Sequence, residues 1–218
     1  MRTRSILLPT LFAVAVSFAQ AAPKLTFTKS FPGSVPAYVS LEVDRSGALQ
    51  YKESVQDDQP VTAQLPPPGT ADLFSMAEKL GYFKTALESG LKVANTGKKM
   101  FRYASDDGAV TEQTFNYSLN PIAQQLLDRF EQIAESERAF IDLQRAVHYD
   151  KLGVNDALAE VEALWLNKQL AAPQQFIPLL TRIATHESFM HLVRDRAARL
   201  KDEFAKSATV ADNAAKSE

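Results

Sequence analysis

Tyr117-Ser118-Leu119-Asn120-Pro121-Ile122-Ala123-Gln124-Gln125-Leu126-Leu127 is the stretch at which the hydrophobic period of the chain changes. Before it, apolar residues recur every second position, as in strands with one buried face. After it they recur at three and four, as on one face of a helix. Asn120-Pro121 is therefore the boundary between a sheet-forming part and a helix-forming part.

Working back from this boundary, Leu25 and Phe27 alternate with Lys24, Thr26 and Thr28. Val39, Leu41 and Val43 alternate with Ser40, Glu42 and Asp44, and Leu49 and Tyr51 with Gln50 and Lys52. Asp44-Arg45-Ser46-Gly47 predicts a tight hairpin turn, with Gly47 free to adopt positive φ. A second hairpin is predicted around Ser105-Asp106-Asp107-Gly108, between Phe101 and Tyr103 on one side and Val110 to Tyr117 on the other. Pro66-Pro67-Pro68 ends a strand from Val61 to Leu65. Thr70 then caps a helix carrying Leu73, Phe74, Ala77 and Leu80, which Gly81 ends. Tyr82 to Ser89 reads as another helical turn or two, and Val93 as part of a connecting strand. The segment from 22 to 118 is expected to be one α+β module, an antiparallel sheet with a covering helix.

Working forward, Ala123, Leu126, Leu127, Phe130, Ile133 and Ala134 form a helical stripe. Phe140, Ile141 and Val147 extend it after one lapse at Glu137. Such a helix is roughly 40 Å long and half exposed. Gly153 and Asn155 break and cap before Leu158, Val161, Leu164 and Trp165. Pro173 and Pro178 each permit a helix start ahead of Leu179, Leu180 and Ile183. Ser188 caps a last helix with the stripe Phe189, Leu192, Val193, Ala197, Leu200 and Phe204. Residues 119–205 are expected to form a small helical bundle, with 206–218 a disordered tail. The fold class is then α+β: an antiparallel sheet followed by an all-α bundle.

The first 21 residues read as an export signal. Arg2 and Arg4 lead an apolar run from Ile6 to Phe18, and Ala19-Gln20-Ala21 offers a small-x-small cleavage site. The run is too short for a membrane span and is interrupted by Pro9. Cleavage after Ala21 leaves 22 basic residues against 26 acidic ones, a net charge of −4. No basic surplus draws the product to nucleic acid or anionic lipid. With no cysteine in 218 residues, lipid attachment through a thiol, disulfides and thiolate chemistry are all excluded. A periplasmic or secreted location with no membrane anchor is expected, with an envelope or secreted protein as partner.

The known catalytic patterns fail one by one. His186-Glu187-Ser188-Phe189-Met190-His191 has its histidines five apart, whereas the zinc-protease pattern needs four to place both on one helical face. His148, with Tyr149 and Asp150, ends the long helix, where the helix dipole already gives a histidine a role. Gly90 to Lys99 departs from a phosphate loop in glycine spacing, in having Lys99 where a hydroxyl is needed, and in leading to a strand. Glu135 and Glu137, Glu160 and Glu162, and Asp202 and Glu203 read as solvated helix faces. Asp57-Asp58 reads as a turn. Tyr38, Tyr103, Phe115 and Tyr117 lie in strands and are expected mostly to pack against the covering helix. Asn116-Tyr117-Ser118 matches a glycosylation sequon. No catalytic, cofactor-binding or metal-ligating residue is assigned.

Gly33-Ser34-Val35-Pro36-Ala37-Tyr38, followed by Leu41, Val43, Gly47 and Tyr51, resembles a bacterial exported domain-of-unknown-function family with the pattern G-x-C-P-x-Y, then G and Y. The likeness covers residues 25 to 90. Val35 replaces the family's cysteine, so no thiol role carries over. The resemblance implies export and leaves activity open. Three functions follow as expectations: a non-catalytic protein that binds a partner through a sheet edge or the long helix; a small-molecule binder with a pocket between sheet and helices; and a hydrolase using His186, Glu187 or His148.

Overall fold

The computed structural model describes residues 22–215, with side chains to 207; the export signal expected over 1–21 lies outside the described residues, as do 216–218. Six strands, β1 (Lys24–Ser30), β2 (Tyr38–Asp44), β3 (Ala48–Lys52), β4 (Val61–Gln64), β5 (Lys98–Ala104) and β6 (Val110–Phe115), form one sheet in the order β4-β3-β2-β1-β5-β6. Every pairing is antiparallel. The helices are α1 (Pro67–Lys79), α2 (Pro121–Tyr149), α3 (Val154–Leu166), α4 (Ile177–Thr185) and α5 (His191–Ala215). The chain is thus α+β, with a sheet in its first half and helices after it.

The register explains why one face is covered. Tyr51, Leu41, Phe27 and Phe101 lie side by side across four strands, and Leu49, Val43, Leu25 and Tyr103 form the next row. Phe27 meets Phe101 at 5.8 Å and stacks on Phe130 of α2 at 5.2 Å. The opposite face carries Thr26, Thr28, Ser40 and Gln50, with ion pairs Lys24–Glu42 at 2.6 Å and Arg102–Glu112 at 3.3 Å. Alternation in each strand puts the polar set on this open side.

The two expected hairpins are present. Asp44 Oδ1 accepts from the Ser46 and Ala48 amides at 2.8 and 3.2 Å, and Gly47 sits at φ +87°. Elsewhere local details differ from expectation. Helix α1 starts at Pro67, so Thr70 is not its cap but a buried residue whose hydroxyl donates to Pro66 O. Prolines in the first turn lack the amides that a cap would satisfy. Of the expected second helical stretch, Tyr82 to Ser89, only Tyr82 and Phe83 are helical, in the single 3-10 turn Gly81–Phe83, and the residues around Val93 form no strand. Tyr82 and Phe83 take positive φ there. This aims Phe83 at Phe101, 5.3 Å away, and stacks Tyr82 on Tyr103 at 4.3 Å. At the other end, α5 begins at His191 and runs on to Ala215, past the point where a disordered tail was expected.

Helix α2 organises everything else. Asn120 caps it, accepting from the Ile122 and Ala123 amides, with Pro121 in the first turn. Ala123, Leu126, Phe130 and Ile133 close the sheet's core. Ala139, Leu143 and Val147 belong to a second core, with Leu158 and Val161 of α3, Leu180 and Ile183 of α4, and Val193, Leu200 and Phe204 of α5. At 100° per residue the two buried stripes of α2 point roughly 130° apart. The helix leaves one core by turning its other side to the next. The cores therefore meet within α2, near Ser136 and Glu137, and not at the Asn120-Pro121 boundary.

Candidate functional site

The place where the cores meet is built from α2 and the segment between α3 and α4. Gln132 Nε2 donates to Lys168 O at 3.0 Å. The Ser136 hydroxyl donates to Gln132 O and lies 3.2 Å from Gln169 O, while it accepts from the Ala171 amide at 2.9 Å. One turn on, Pro173–Phe176 forms a 3-10 turn, and Gln175 Nε2 donates to Glu137 Oε1 at 2.8 Å. These polar bonds stitch residues 168–175 onto α2.

Glu137 is 0 % exposed. Burial pushes its carboxyl up to about 7, against a smaller downward pull from the Gln175 hydrogen bond. This corrects the expectation of a solvated Glu135 and Glu137 face: Glu135 is exposed, but Glu137 lies on the stripe that faces the sheet. The lapse in the apolar stripe at Glu137 was the sequence signal. Gln175 gave no signal at all.

Beside this seam a groove of about 500 Å³ opens between the sheet and α2. Val39 and Ala134 supply its apolar floor, with Phe27 and Tyr51 fully buried beneath it, and Pro36 comes from the β1–β2 loop. The Gly33-to-Tyr38 motif thus forms a strap at the groove. Arg138 Nη1 donates to Val35 O at 2.8 Å, and the Val35 side chain stands 79 % exposed. The Tyr51 hydroxyl donates to Glu53 at 2.9 Å, and burial raises its pKa, so the phenol stays protonated. Around the rim, Lys29 pairs with Glu131 at 2.7 Å, and Asp142 pairs with Arg138 at 3.8 Å and Arg145 at 2.9 Å. Glu135 and Glu160 also line the groove, without an ion-pair partner among the described residues. Four carboxylates face two cations, Lys29 and Arg138, so the groove is acidic.

Sequence reasoning also missed Lys99, which is 4 % exposed on the covered face of β5. Its Nζ donates to Thr96 Oγ1 and Asn116 O at 2.8 Å, to Gly97 O at 3.1 Å and to Thr96 O at 3.3 Å. Burial, and then the charge of Lys29, pull its pKa down. The stretch compared with a phosphate loop is thus a turn folded around its own lysine. Of the aromatics expected in strands, Phe115 is buried and Tyr103 half-buried, while Tyr117 lies beyond the end of β6 and is exposed. Asn116 of the sequon is engaged with Thr96 and Ala94, and Ser118 is buried.

The structure places each histidine with a local neighbour. His186 Nδ1 lies 2.8 Å from the Ser188 hydroxyl, so Ser188 turns back to His186 three residues before α5 begins. His191 pairs with Asp195 at 2.8 Å, and the His148 ring meets Tyr149 edge-on at 5.8 Å. All three are exposed, as is Glu187. Among the described residues no group of three His, Asp or Glu side chains could hold a metal ion. No described helix is long and apolar enough to cross a membrane.

Fold and groove together define a two-core α+β chain with an acidic, apolar-floored groove along its central helix. No protein-family model matches the chain, and no curated protein is similar enough to count as a relative.

Proposed function

We propose that this is an exported, non-catalytic binding protein that takes an apolar ligand bearing a cationic group in the groove between the sheet and α2. The observation that carries the reading is the pairing of a small apolar floor, Pro36, Val39 and Ala134, with the carboxylates Glu135 and Glu160 at the rim, which have no ion-pair partner among the described residues. Apolar area supplies affinity in such a site, and the few charged groups fix orientation and selectivity. Export is supported by the Arg2 and Arg4 leader, the apolar run and the Ala19-Gln20-Ala21 site. The partner-binding alternative, through a sheet edge or the long helix, has less behind it, because the edge strands β4 and β6 expose mainly polar residues, Thr62, Gln64, Glu112 and Thr114. The hydrolase alternative would use His186, Glu187 or His148, but His186 meets only its neighbours Ser188 and Phe189, and His148 its neighbour Tyr149, among the described residues.

The test is NMR titration of the mature chain with octylammonium and with octanoate. The amine is expected to shift Val39 and Ala134 resonances, with affinity falling roughly threefold in Glu135→Gln and in Glu160→Gln, the size expected for exposed charges. Equal or tighter binding of octanoate, or shifts confined to another surface, overturns the ligand class. Recovery from the periplasm of a chain beginning at Ala22 supports export; an intact Met1 overturns it.

A further inference from the structure

Two atoms at the seam lack a partner among the described residues: Glu137 Oε2 and Gln175 Oε1 are both buried without a hydrogen bond. The other corners of the same two groups already meet, through Gln175 Nε2 and Glu137 Oε1 at 2.8 Å. A carboxylate and an amide oxygen are both acceptors, so neither can satisfy the other while Glu137 is ionised. A carboxylic acid and a primary amide, by contrast, close a ring of two hydrogen bonds, and one of the two is in place. A single proton on Oε2 resolves both orphan atoms, and leaving them unmade is costly in a dry site.

We propose that Glu137 is kept as the neutral acid and acts as a proton-held latch: its pair with Gln175 clamps the 3-10 turn to α2, and loss of the proton loosens the seam between the two cores. The neighbouring groups leave the latch to its own proton. From β3, Tyr51 faces it as a protonated phenol committed to Glu53. Along α2, Ser136 is occupied by Gln132 and Ala171, and Arg138 by Val35 O and Asp142. Among the described residues only Gln175 reaches it from the 3-10 turn, and no charged group offsets the burial of the carboxyl. The latch does not depend on the ligand proposed for the groove.

Glu137→Gln is the discriminating variant, because an amide pairs with Gln175 in both directions at every pH. In the mature wild-type chain, infrared spectra at about pH 6 are expected to hold one carboxylic-acid carbonyl band that fades toward about pH 8 and is missing from Glu137→Gln. Hydrogen-exchange protection of amides 169–176 should fall about tenfold across that range in wild type and stay level in the variant. A carboxylate in place of the acid band at pH 6, as a bridging water or cation would produce, overturns the proposal. So does a variant whose seam is as pH-sensitive as the wild type. Should Glu137→Gln not fold, Gln175→Met keeps the acid and removes the amide oxygen that accepts its proton; the acid band must then fade at lower pH than in wild type, and an unchanged or raised midpoint overturns the pairing.

Discussion

Lys29 and Lys99 lie directly opposite one another on β1 and β5, on the face of the sheet that the helices cover. Like charges at such positions repel, and the structure separates their duties. Lys29 is answered by the Glu131 carboxylate, whereas Lys99 is answered by four uncharged oxygens. Lys99→Met removes the repulsion but strands the Thr96, Gly97 and Asn116 oxygens that the ammonium held together. The second effect should win, because the Gly97 carbonyl is buried there and a buried polar atom without a partner costs about 1–3 kcal/mol. Urea unfolding should show a loss of that order, with Lys29→Met milder because its carboxylate partner is half exposed.

Although there are two apolar cores, α2 is continuous through both, so unfolding is expected to be one transition. Phe130→Ala opens the sheet core, where its ring stacks on Phe27 at 5.2 Å. Phe176→Ala opens the bundle core, where its ring meets Phe140 at 5.3 Å. Each should cost about 3–5 kcal/mol. Trp165 is the chain's single tryptophan and packs on Phe204 in the bundle at 4.9 Å. Its fluorescence should therefore report the Phe130→Ala loss in full, coincident with circular dichroism. Two separated transitions would show that the seam does not couple the cores.

The two hairpin glycines should respond unequally to alanine. Gly47 and Gly108 share nearly the same φ, +87° and +84°. A Cβ on Gly108 meets nothing, whereas one on Gly47 would lie 2.6 Å from Leu65 O, a backbone atom that cannot swing aside. Gly108→Ala should cost about 1 kcal/mol from conformation alone. Gly47→Ala should cost at least twice that, since β4 must move as well. Paired thermal melts of the two variants check this.

What the sequence made legible was whatever depends on near neighbours. Both hairpins, the open polar face, the Asn120-Pro121 helix start and the length of α2 all follow from turn chemistry and period. Glu137 shows where that ends. The residue interrupted the apolar stripe and sat among charged neighbours, so it read as solvated. Its burial depends on Gln175, 38 residues away, and on α2 turning from one core to the other. Lys99 was opaque for a similar reason, since its acceptors come from a loop and from Asn116 across β6. Thr70 and Ser188 were plausible caps by type, but prolines and a histidine contact decided those helix starts. The groove is a product of packing, and its acidic rim joins β1 to α2 and α3.

On the bundle side, Glu162 lies between Arg196 at 3.2 Å and Arg199 at 2.6 Å. The shorter contact is not the one expected to matter more. Arg199 is half exposed, and its pKa is raised chiefly by the hydrogen bond to Glu162; water can replace that bond, so Arg199→Ala should cost no more than about 0.5 kcal/mol. Arg196 is three-quarters buried and also donates to Asn155 O and Oδ1 at 3.1 and 2.8 Å, tying α5 to the start of α3. Arg196→Ala should cost about 2 kcal/mol, because Asn155 and Glu162 both lose a partner in a half-dry site. Raising the salt concentration should erase the Arg199 effect and leave most of the Arg196 effect. Chemical denaturation in urea at low and high salt measures both, and the opposite ranking would mean that bond length, not burial, sets the strength of this pair.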